Sequence, residues 1–272
     1  MTAADSTERV LYRARSDFQD IVLAQEADGH INLTLDQVWQ FRSQDEHVFH
    51  EVLADTPILM AADPARVLIL GGGDGLALRN VLRYEEVREV TLCELDPLVI
   101  EMAQTVPALV ELSEASLADP RVRLIIGDAL EFIETRGPTY DVVICDFPAE
   151  TRPELSRLFG PAFFRTLAGL THAQTVVAVQ VSQDPAGFWR ICDSVEASFP
   201  WIHPMLAKLD VDGEDDDWAD FVIASQAPKV AQREPAKGLR FLTRERVARL
   251  RIKNRSGDRF ETLEYGLEPD FG

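Results

Sequence analysis

The 272-residue sequence contains no run of about 18 apolar residues, the length that a membrane-spanning helix requires. Residues 1–20 alternate charged and apolar side chains and lack the apolar core of a secretory signal peptide. We therefore expect a cytoplasmic protein that makes no contact with a membrane.

Basic residues are scarce: 27 Lys and Arg stand against 46 Asp and Glu, which gives a formal net charge of −19. Binding to nucleic-acid phosphates needs clustered Lys and Arg, so this charge argues against a nucleic-acid partner. A negative field concentrates cations near a cleft, which is compatible with a cationic substrate. The simpler interpretation is that the acidity keeps the protein soluble.

Cysteine is also rare. Cys93, Cys145 and Cys192 lie far apart without a CxxC motif, and we expect reduced, mostly buried thiols. No His signature accompanies them, which argues against a catalytic cysteine. His47 and His50 have a spacing typical of zinc ligands on a helix. No third ligand is apparent in the sequence, and we predict no metal site.

Hydrophobic residues make up 46% of the chain, which is enough for a substantial core. Residues 1–60 are predicted to form a small β-rich domain. Alternating and apolar segments in it predict strands at 20–25, 31–35 and 38–41 and a helix at 47–59.

Residues 61–272 have a different pattern and are predicted to form a second, larger domain. Apolar strands alternate with helices, which indicates an α/β fold with a parallel sheet covered on both faces. The predicted strands lie at 67–70, 90–95, 122–126, 140–145, 175–181 and 221–224, and the predicted helices at 76–84, 97–103 and 129–134.

A glycine-rich segment, Gly-Gly-Gly-Asp-Gly at 71–75, directly follows the strand at 67–70. Glycines allow a sharp turn and a close approach of the backbone to a ligand. The position between an apolar strand and a helix is typical of nucleotide-binding loops. Leu76 breaks the GxGxxG pattern of dinucleotide folds, and no Lys-Ser/Thr follows as in a P-loop. The segment therefore predicts a nucleotide site of another kind.

Acidic residues follow the next strands. Glu94 lies about 20 residues after the glycines, which is the separation expected for an acid that binds ribose hydroxyls. Asp128 and Asp146 follow the next two strands. Because the carboxyl ends of parallel strands meet at one edge, we predict that these acids and Asp74 line one nucleotide site. Each acid also has a structural interpretation; Asp128 has the position of an N-cap for the helix at 129–134.

Motifs along most of the chain match one family. They lie at 17–21, 35–40, 45–51, 71–75, 94–97, 127–129 and 140–146. Together they resemble the spermidine synthases and related polyamine aminopropyltransferases. The likeness covers roughly residues 9–265 and is weak after Val181. The segments at 76–84, 153–159 and 241–243 resemble a divergent bacterial branch whose members often carry a fused membrane domain, of which this chain would be a soluble version.

The resemblance implies a Rossmann-like fold of the S-adenosylmethionine-dependent methyltransferase type. It also implies a transferase that moves an aminopropyl group from decarboxylated S-adenosylmethionine, its co-substrate, to an amine or polyamine and releases methylthioadenosine. Family members are usually homodimers or homotetramers, and we expect the same here. Two alternatives stay open: methyl or aminocarboxypropyl transfer from S-adenosylmethionine itself, and non-catalytic binding of a nucleoside or polyamine.

The resemblance also implies roles for individual residues. Asp146 matches the catalytic carboxylate, Asp74 a carboxylate that faces the aminopropyl and amine groups, and Glu94 the ribose-binding acid. Further nucleoside contacts are matched by Gln19, Gly71, Gly73, Asp128, Ala129 and Pro153, and substrate-side positions by Gln40 and His50, together with Asp74 and Asp146.

Two positions depart from the family pattern. The loop after Asp146 usually carries a second Asp that holds the amine, but Ala149 occupies its place, and the adjacent Glu150 is expected to contact the substrate instead. The tyrosine usually found at position 49 is Phe49. The resemblance thus implies an unchanged nucleoside half and an altered amine half. The acidic run at 213–217 either faces a polyamine or is a solvated loop.

Overall fold

The computed structural model describes residues 8–135, 137–148, 150, 153–181, 185–209 and 217–250. Ala149 and residues 213–216 of the acidic run lie outside these residues, as do the side chains of Pro153 and Asp217.

A small antiparallel sheet of four strands in sequential order begins the described chain. Its second and third strands have the predicted bounds. The first strand was not predicted, because its apolar residues do not alternate regularly and most of it is exposed or half-buried. Asp36 and Gln37 form a tight turn with φ of 48° and 67°. The strands are β1 (Arg9–Arg15), β2 (Asp20–Gln25), β3 (Ile31–Leu35) and β4 (Val38–Arg42).

A continuous helical segment follows, close to the predicted helix at 47–59. It consists of α1 (Glu46–His50), a π-helical turn (Glu51–Asp55) and α2 (Thr56–Met60). Its apolar residues share a hydrophobic cluster with Val67 and Ile69 of the large sheet. The division of the chain into domains at residue 60 stays a prediction, since this segment packs on the large sheet.

Two buried carboxylates anchor the π-helical turn. Glu51 accepts hydrogen bonds from the backbone N–H groups of residues 240–242 at 2.7–2.8 Å. Asp55 accepts from Asn80 Nδ2 at 2.7 Å and from the Tyr84 hydroxyl at 2.6 Å. Burial raises the pKa of Asp55 to about 7, while these two bonds lower it. The turn is thus joined to the chain's last described segment.

The large sheet has seven strands in the order β10-β11-β9-β8-β5-β6-β7. Strands β5 to β9 are parallel, and β11 is antiparallel to both of its neighbours. The α/β fold is therefore confirmed. The strand β10 was not predicted. The antiparallel direction of β11 differs from the predicted parallel sheet, because hydrophobic periodicity does not specify strand direction. The strands are β5 (Arg66–Gly71), β6 (Glu89–Glu94), β7 (Val122–Ile126), β8 (Tyr140–Asp146), β9 (Thr171–Gln180), β10 (Trp201–Leu209) and β11 (Asp217–Ser225).

Helices cover both faces of this sheet. Val67 and Ile69 belong to one buried cluster, whereas Leu68 and Leu70 belong to another, because alternate strand residues point to opposite faces. Within the described residues, no helix is long and apolar enough to cross a membrane. The helices are α3 (Leu76–Leu82), α4 (Pro97–Thr105), α5 (Pro107–Leu112), α6 (Ala129–Glu134), α7 (Pro153–Ser156), α8 (Pro161–Leu167), α9 (Pro185–Glu196) and α10 (Arg244–Arg249).

The chain reverses its direction across the sheet between β5 and β8, and open α/β sheets bind ligands at the carboxyl ends of such strands. At this point Gly71 is paired with Asp146. Gly71 has a φ of 82°, and a Cβ there would lie 2.1 Å from the carbonyl oxygen of Asp146. Only glycine fits this position.

Replacing Gly71 with alanine is expected to lower the free energy of unfolding by about 3 kcal/mol, because a left-handed backbone and a steric clash both oppose the methyl group. Gly29→Ala is the matched control: Gly29 has a φ of 96°, but nothing lies within 4 Å of a Cβ there. The Gly29→Ala variant is expected to lower the free energy of unfolding by about 1 kcal/mol. Urea unfolding measures both values, and equal losses would contradict the importance of the Asp146 contact.

Candidate active site

A cavity of about 600 Å³ opens at the carboxyl edge of the large sheet, with β3 and β4 of the small sheet forming part of its wall. Most residues proposed from the sequence line this cavity. They are Gln19, Gln40, His50, Gly71, Gly73, Asp74, Glu94, Asp128, Ala129 and Asp146.

The glycine segment and Glu94 hold each other in place. The Gly73 N–H donates to Glu94 Oε2 at 3.1 Å, and the Asp96 N–H donates to Oε1 at 2.9 Å. A Cβ on Gly73 would lie 2.6 Å from Glu94 Cγ, so this position also requires glycine. Burial raises the pKa of Glu94 to about 7, although both hydrogen bonds lower it. The remaining lone pairs of the carboxyl group are suited to accept from hydroxyl groups.

Asp96 is buried behind the cavity wall and connects the small sheet to the large one, a contact that was not predicted. Its Oδ2 accepts from Gln19 Nε2 at 3.0 Å and from Ser16 Oγ at 2.6 Å. Its Oδ1 accepts from the Leu98 N–H at 3.0 Å and caps α4. The Asp-Pro pair at the start of a helix is a signal for the cap, but not for the contact with Gln19.

Asp128 caps a helix, as one of its two interpretations predicted, and also lines the cavity, while its contact with a nucleotide stays a prediction. Its Oδ1 accepts from the Leu130 N–H at 2.7 Å and caps α6, while its other oxygen pairs with Arg157. Both Asp128 and Arg157 line the cavity. Arg157 was not predicted, because nothing in its local sequence indicates a partner 29 residues away.

A buried charge network orients His50. Its Nδ1 lies 2.9 Å from Glu46 Oε2, and Arg79 donates to both Glu46 oxygens at 3.0 and 2.9 Å. Burial raises the pKa of Glu46, but the bonds to His50 and Arg79 outweigh it and lower the pKa to about 2. The i,i+4 spacing of Glu46 and His50 was an available signal for this pair; Arg79 was not predictable.

Burial lowers the pKa of His50, but Glu46, Asp74 and Asp146 together outweigh it and raise the value. The positive form of the imidazole is therefore favoured beside these acids.

Asp74 and Asp146 form a half-buried acidic pair. Asp74 Oδ1 accepts from the Leu76 N–H at 2.8 Å at the start of α3. Burial and the charge of Asp74 raise the pKa of Asp146 to about 7, and His50 opposes them. Burial also raises the pKa of Asp74. Two carboxylates in a low-dielectric wall favour a proton or a cation between them.

The positions that depart from the family pattern differ in their surroundings. Phe49 lines the cavity, with its ring centroid 5.1 Å from both Phe221 and His50. Glu150 pairs with Arg190 and is not among the described residues that line the cavity. The predicted contact of Glu150 with substrate stays a prediction.

No group of three or more His, Cys, Asp or Glu among the described residues is arranged to hold a metal ion. All three cysteines are buried, as expected. Cys93 lines the cavity, but burial raises the pKa of its thiol to about 12, so it is a poor nucleophile.

The chain is similar to known proteins in sequence. The model of the spermine/spermidine synthase domain matches residues 46–194. Polyamine aminopropyltransferase 2 of Bacillus anthracis is 41% identical over 190 residues, which are 68% of this chain and 52% of that protein. Polyamine aminopropyltransferase of Synechococcus sp. (strain JA-3-3Ab) is 31% identical over 244 residues, 85% of this chain and 76% of that protein. The chain spans about half the length of the first curated relatives it matches.

Solved structures agree with this likeness. A spermidine synthase in complex with the transition-state analogue AdoDATO has a TM-score of 0.81 at 25% identity and covers 94% of this chain and 88% of that one. The spermidine synthase of Thermotoga maritima has a TM-score of 0.78 at 25% identity and covers 94% of this chain and 87% of that one. The Rossmann-like methyltransferase-type fold is thereby confirmed.

Glu46→Gln is expected to lower the free energy of unfolding by about 3–5 kcal/mol, because the buried Arg79 loses its counter-charge. The pKa of His50 should fall, since the hydrogen bond and the negative charge of Glu46, which raise it, are lost. NMR titration of the imidazole and urea unfolding measure the two effects. Glu245→Gln removes the exposed i,i+4 pair with Arg249 and should cost about 0.5 kcal/mol or less. An unchanged pKa of His50 would refute the network's role.

Proposed function

The chain belongs to the spermine/spermidine synthase family, and we propose that it transfers the aminopropyl group of decarboxylated S-adenosylmethionine to an amine. The observation that carries the proposal is the half-buried acidic pair, Asp74 and Asp146, beside a glycine segment and a ribose-type acid in one cavity. Such a wall suits a donor that is a nucleoside at one end and a cation at the other.

The nucleoside is proposed to lie over β5, β6 and β7. Glu94 accepts hydrogen bonds from the ribose hydroxyls, and Asp128 with Ala129 contacts the adenine. The remaining contacts come from Gln19, Gly71, Gly73 and Pro153.

In the proposed reaction Asp146 accepts a proton from the ammonium form of the acceptor. The neutral nitrogen then forms a bond to the aminopropyl carbon next to sulfur. The C–S bond breaks, and its electron pair stays on sulfur as methylthioadenosine leaves. The positive charge passes from sulfur to nitrogen, and the proton on Asp146 returns to solvent. Because the sulfonium is already an activated leaving group, positioning and electrostatics supply much of the rate.

Asp74 is proposed to attract the aminopropyl end of the donor and to repel the carboxylate of intact S-adenosylmethionine. Gln40 and His50 contact the acceptor side, with His50 held by its bond to Glu46. The acceptor is proposed to be an amine or polyamine. Assembly as a homodimer or homotetramer and a cytoplasmic location stay predictions.

Asp146→Asn is expected to reduce methylthioadenosine formation by about 10²- to 10⁴-fold, because the amide cannot accept the proton. In the wild type, kcat/KM for the donor should rise with pH up to about 7, where the carboxyl group of Asp146 loses its proton. The variant should lack this rise and keep its affinity for methylthioadenosine. Asp141→Asn, at the other end of β8, should retain near wild-type turnover. Absence of turnover with a broad amine panel would refute the proposed function.

Calorimetry should show that the wild type binds decarboxylated S-adenosylmethionine at least about 10-fold more tightly than the intact form, because Asp74 repels the extra carboxylate. Asp74→Asn should narrow this difference in affinity. Methylthioadenosine, which carries neither a sulfonium nor a carboxylate, serves as the control ligand. A preference of the wild type for the intact form would instead favour methyl or aminocarboxypropyl transfer.

A further inference from the structure

Arg157 brings a positive charge to the end of the cavity where the nucleoside is proposed to lie. Its guanidinium group pairs with Asp128 Oδ2, and both residues line the cavity. The Arg157 side chain is 50% exposed and the Asp128 side chain 17% exposed. The ion pair therefore lies at the surface of the cavity wall, where a bound ligand can contact it.

The chain around this ion pair is anchored in the core. Leu158 and Phe159, the two residues after Arg157, are 8% and 1% exposed. They belong to the same buried cluster as Ala129, the residue after Asp128. Packing thus fixes the backbone on both sides of the pair. Side chains on such a rigid support can hold the precise geometry that positioning a ligand requires.

Each oxygen of the Asp128 carboxylate has its own partner. Oδ1 accepts from the Leu130 N–H at 2.7 Å, and Oδ2 accepts from Arg157. Two bonds to two oxygens determine the plane of the carboxylate, which a single bond leaves free to rotate. An ionised carboxylate has about four lone-pair sites, so about two remain for a ligand. Because it accepts hydrogen bonds and donates none, these sites suit an amino group and oppose a carbonyl oxygen.

We infer that Arg157 is a positioning residue that orients the Asp128 carboxylate toward the exocyclic amino group of adenine and so sets the preference of the site for adenine over hypoxanthine. Hypoxanthine carries an oxygen at that position, which the carboxylate repels. The inference rests on the proposed function, because the nucleoside donor brings the base to Asp128. Arg157 acts through Asp128 and takes no part in the transfer step itself.

The test is calorimetric binding of methylthioadenosine and methylthioinosine, whose bases are adenine and hypoxanthine. Arg157→Gln is expected to weaken methylthioadenosine binding by about 3- to 10-fold, because the carboxylate loses the bond that orients it. The weaker binding of methylthioinosine should stay near wild type. Arg157→Lys keeps a cationic donor and should retain most of the preference for methylthioadenosine.

Arg190→Gln is the matched control. Arg190 pairs with Glu150, and their side chains are 50% and 14% exposed, close to the values for Arg157 and Asp128. Neither Arg190 nor Glu150 is among the described residues that line the cavity. Urea unfolding should show similar small losses of stability for Arg190→Gln and Arg157→Gln, but Arg190→Gln should leave both affinities unchanged.

A double-mutant cycle measures whether Arg157 acts through Asp128. Asp128→Asn keeps an oxygen that can cap α6, since Asn is also a favoured N-cap residue. In that background Arg157→Gln should change the affinity for methylthioadenosine by less than about twofold, because the two side chains act as one unit.

The inference is overturned if Arg157→Gln keeps the wild-type ratio of the two affinities, if Arg190→Gln lowers that ratio equally, or if the losses from the Arg157 and Asp128 variants simply add. Tighter binding of methylthioadenosine by Arg157→Gln also overturns it, because Arg157 then competes with the base for Asp128.

These binding measurements need no turnover. If the wild type prefers methylthioadenosine through Arg157 but forms none of it from the donor and any amine, the proposed function fails alone. If the wild type turns over and Arg157→Gln keeps the wild-type ratio of affinities, the inference fails alone.

Discussion

The close contact between the ends of β5 and β8 is the constraint on which the site depends. The Gly72 N–H donates to the carbonyl oxygen of Asp146 at 3.1 Å, and Gly71 leaves no space for a side chain there. This contact fixes the backbone that carries both Asp74 and Asp146. Because it occurs where the strand order reverses, the two acids face an open crevice rather than a covered sheet.

The acidic pair is balanced by the positive form of His50, which comes from a different part of the chain. Arg79 lies in α3, Glu46 and His50 lie in α1, and the three form one network with low exposure. Glu46 accepts hydrogen bonds from Arg79 and balances its charge. It also favours the protonated form of His50, which faces the acidic pair. The cavity thus keeps a negative wall for a cationic ligand without leaving its own charges isolated.

Most elements of the fold follow from local patterns. Strands such as β3 and β7 and the helix α6 have the predicted bounds, because apolar periodicity and an N-cap define them locally. Strand β10 was missed, as was the antiparallel direction of β11. Both depend on how distant segments pair, and the side-chain period of a strand is the same in either direction.

The sequence by itself determined the half of the site that is proposed to bind the nucleoside. Its glycines, Glu94 and Asp128 stand at successive strand ends, and the geometry of a parallel sheet brings such ends together whatever the remaining packing. Only the tertiary structure decided the partners of these residues and the composition of the other half. Arg157 and Arg79 carry no local signal, because their contacts join segments that folding places side by side.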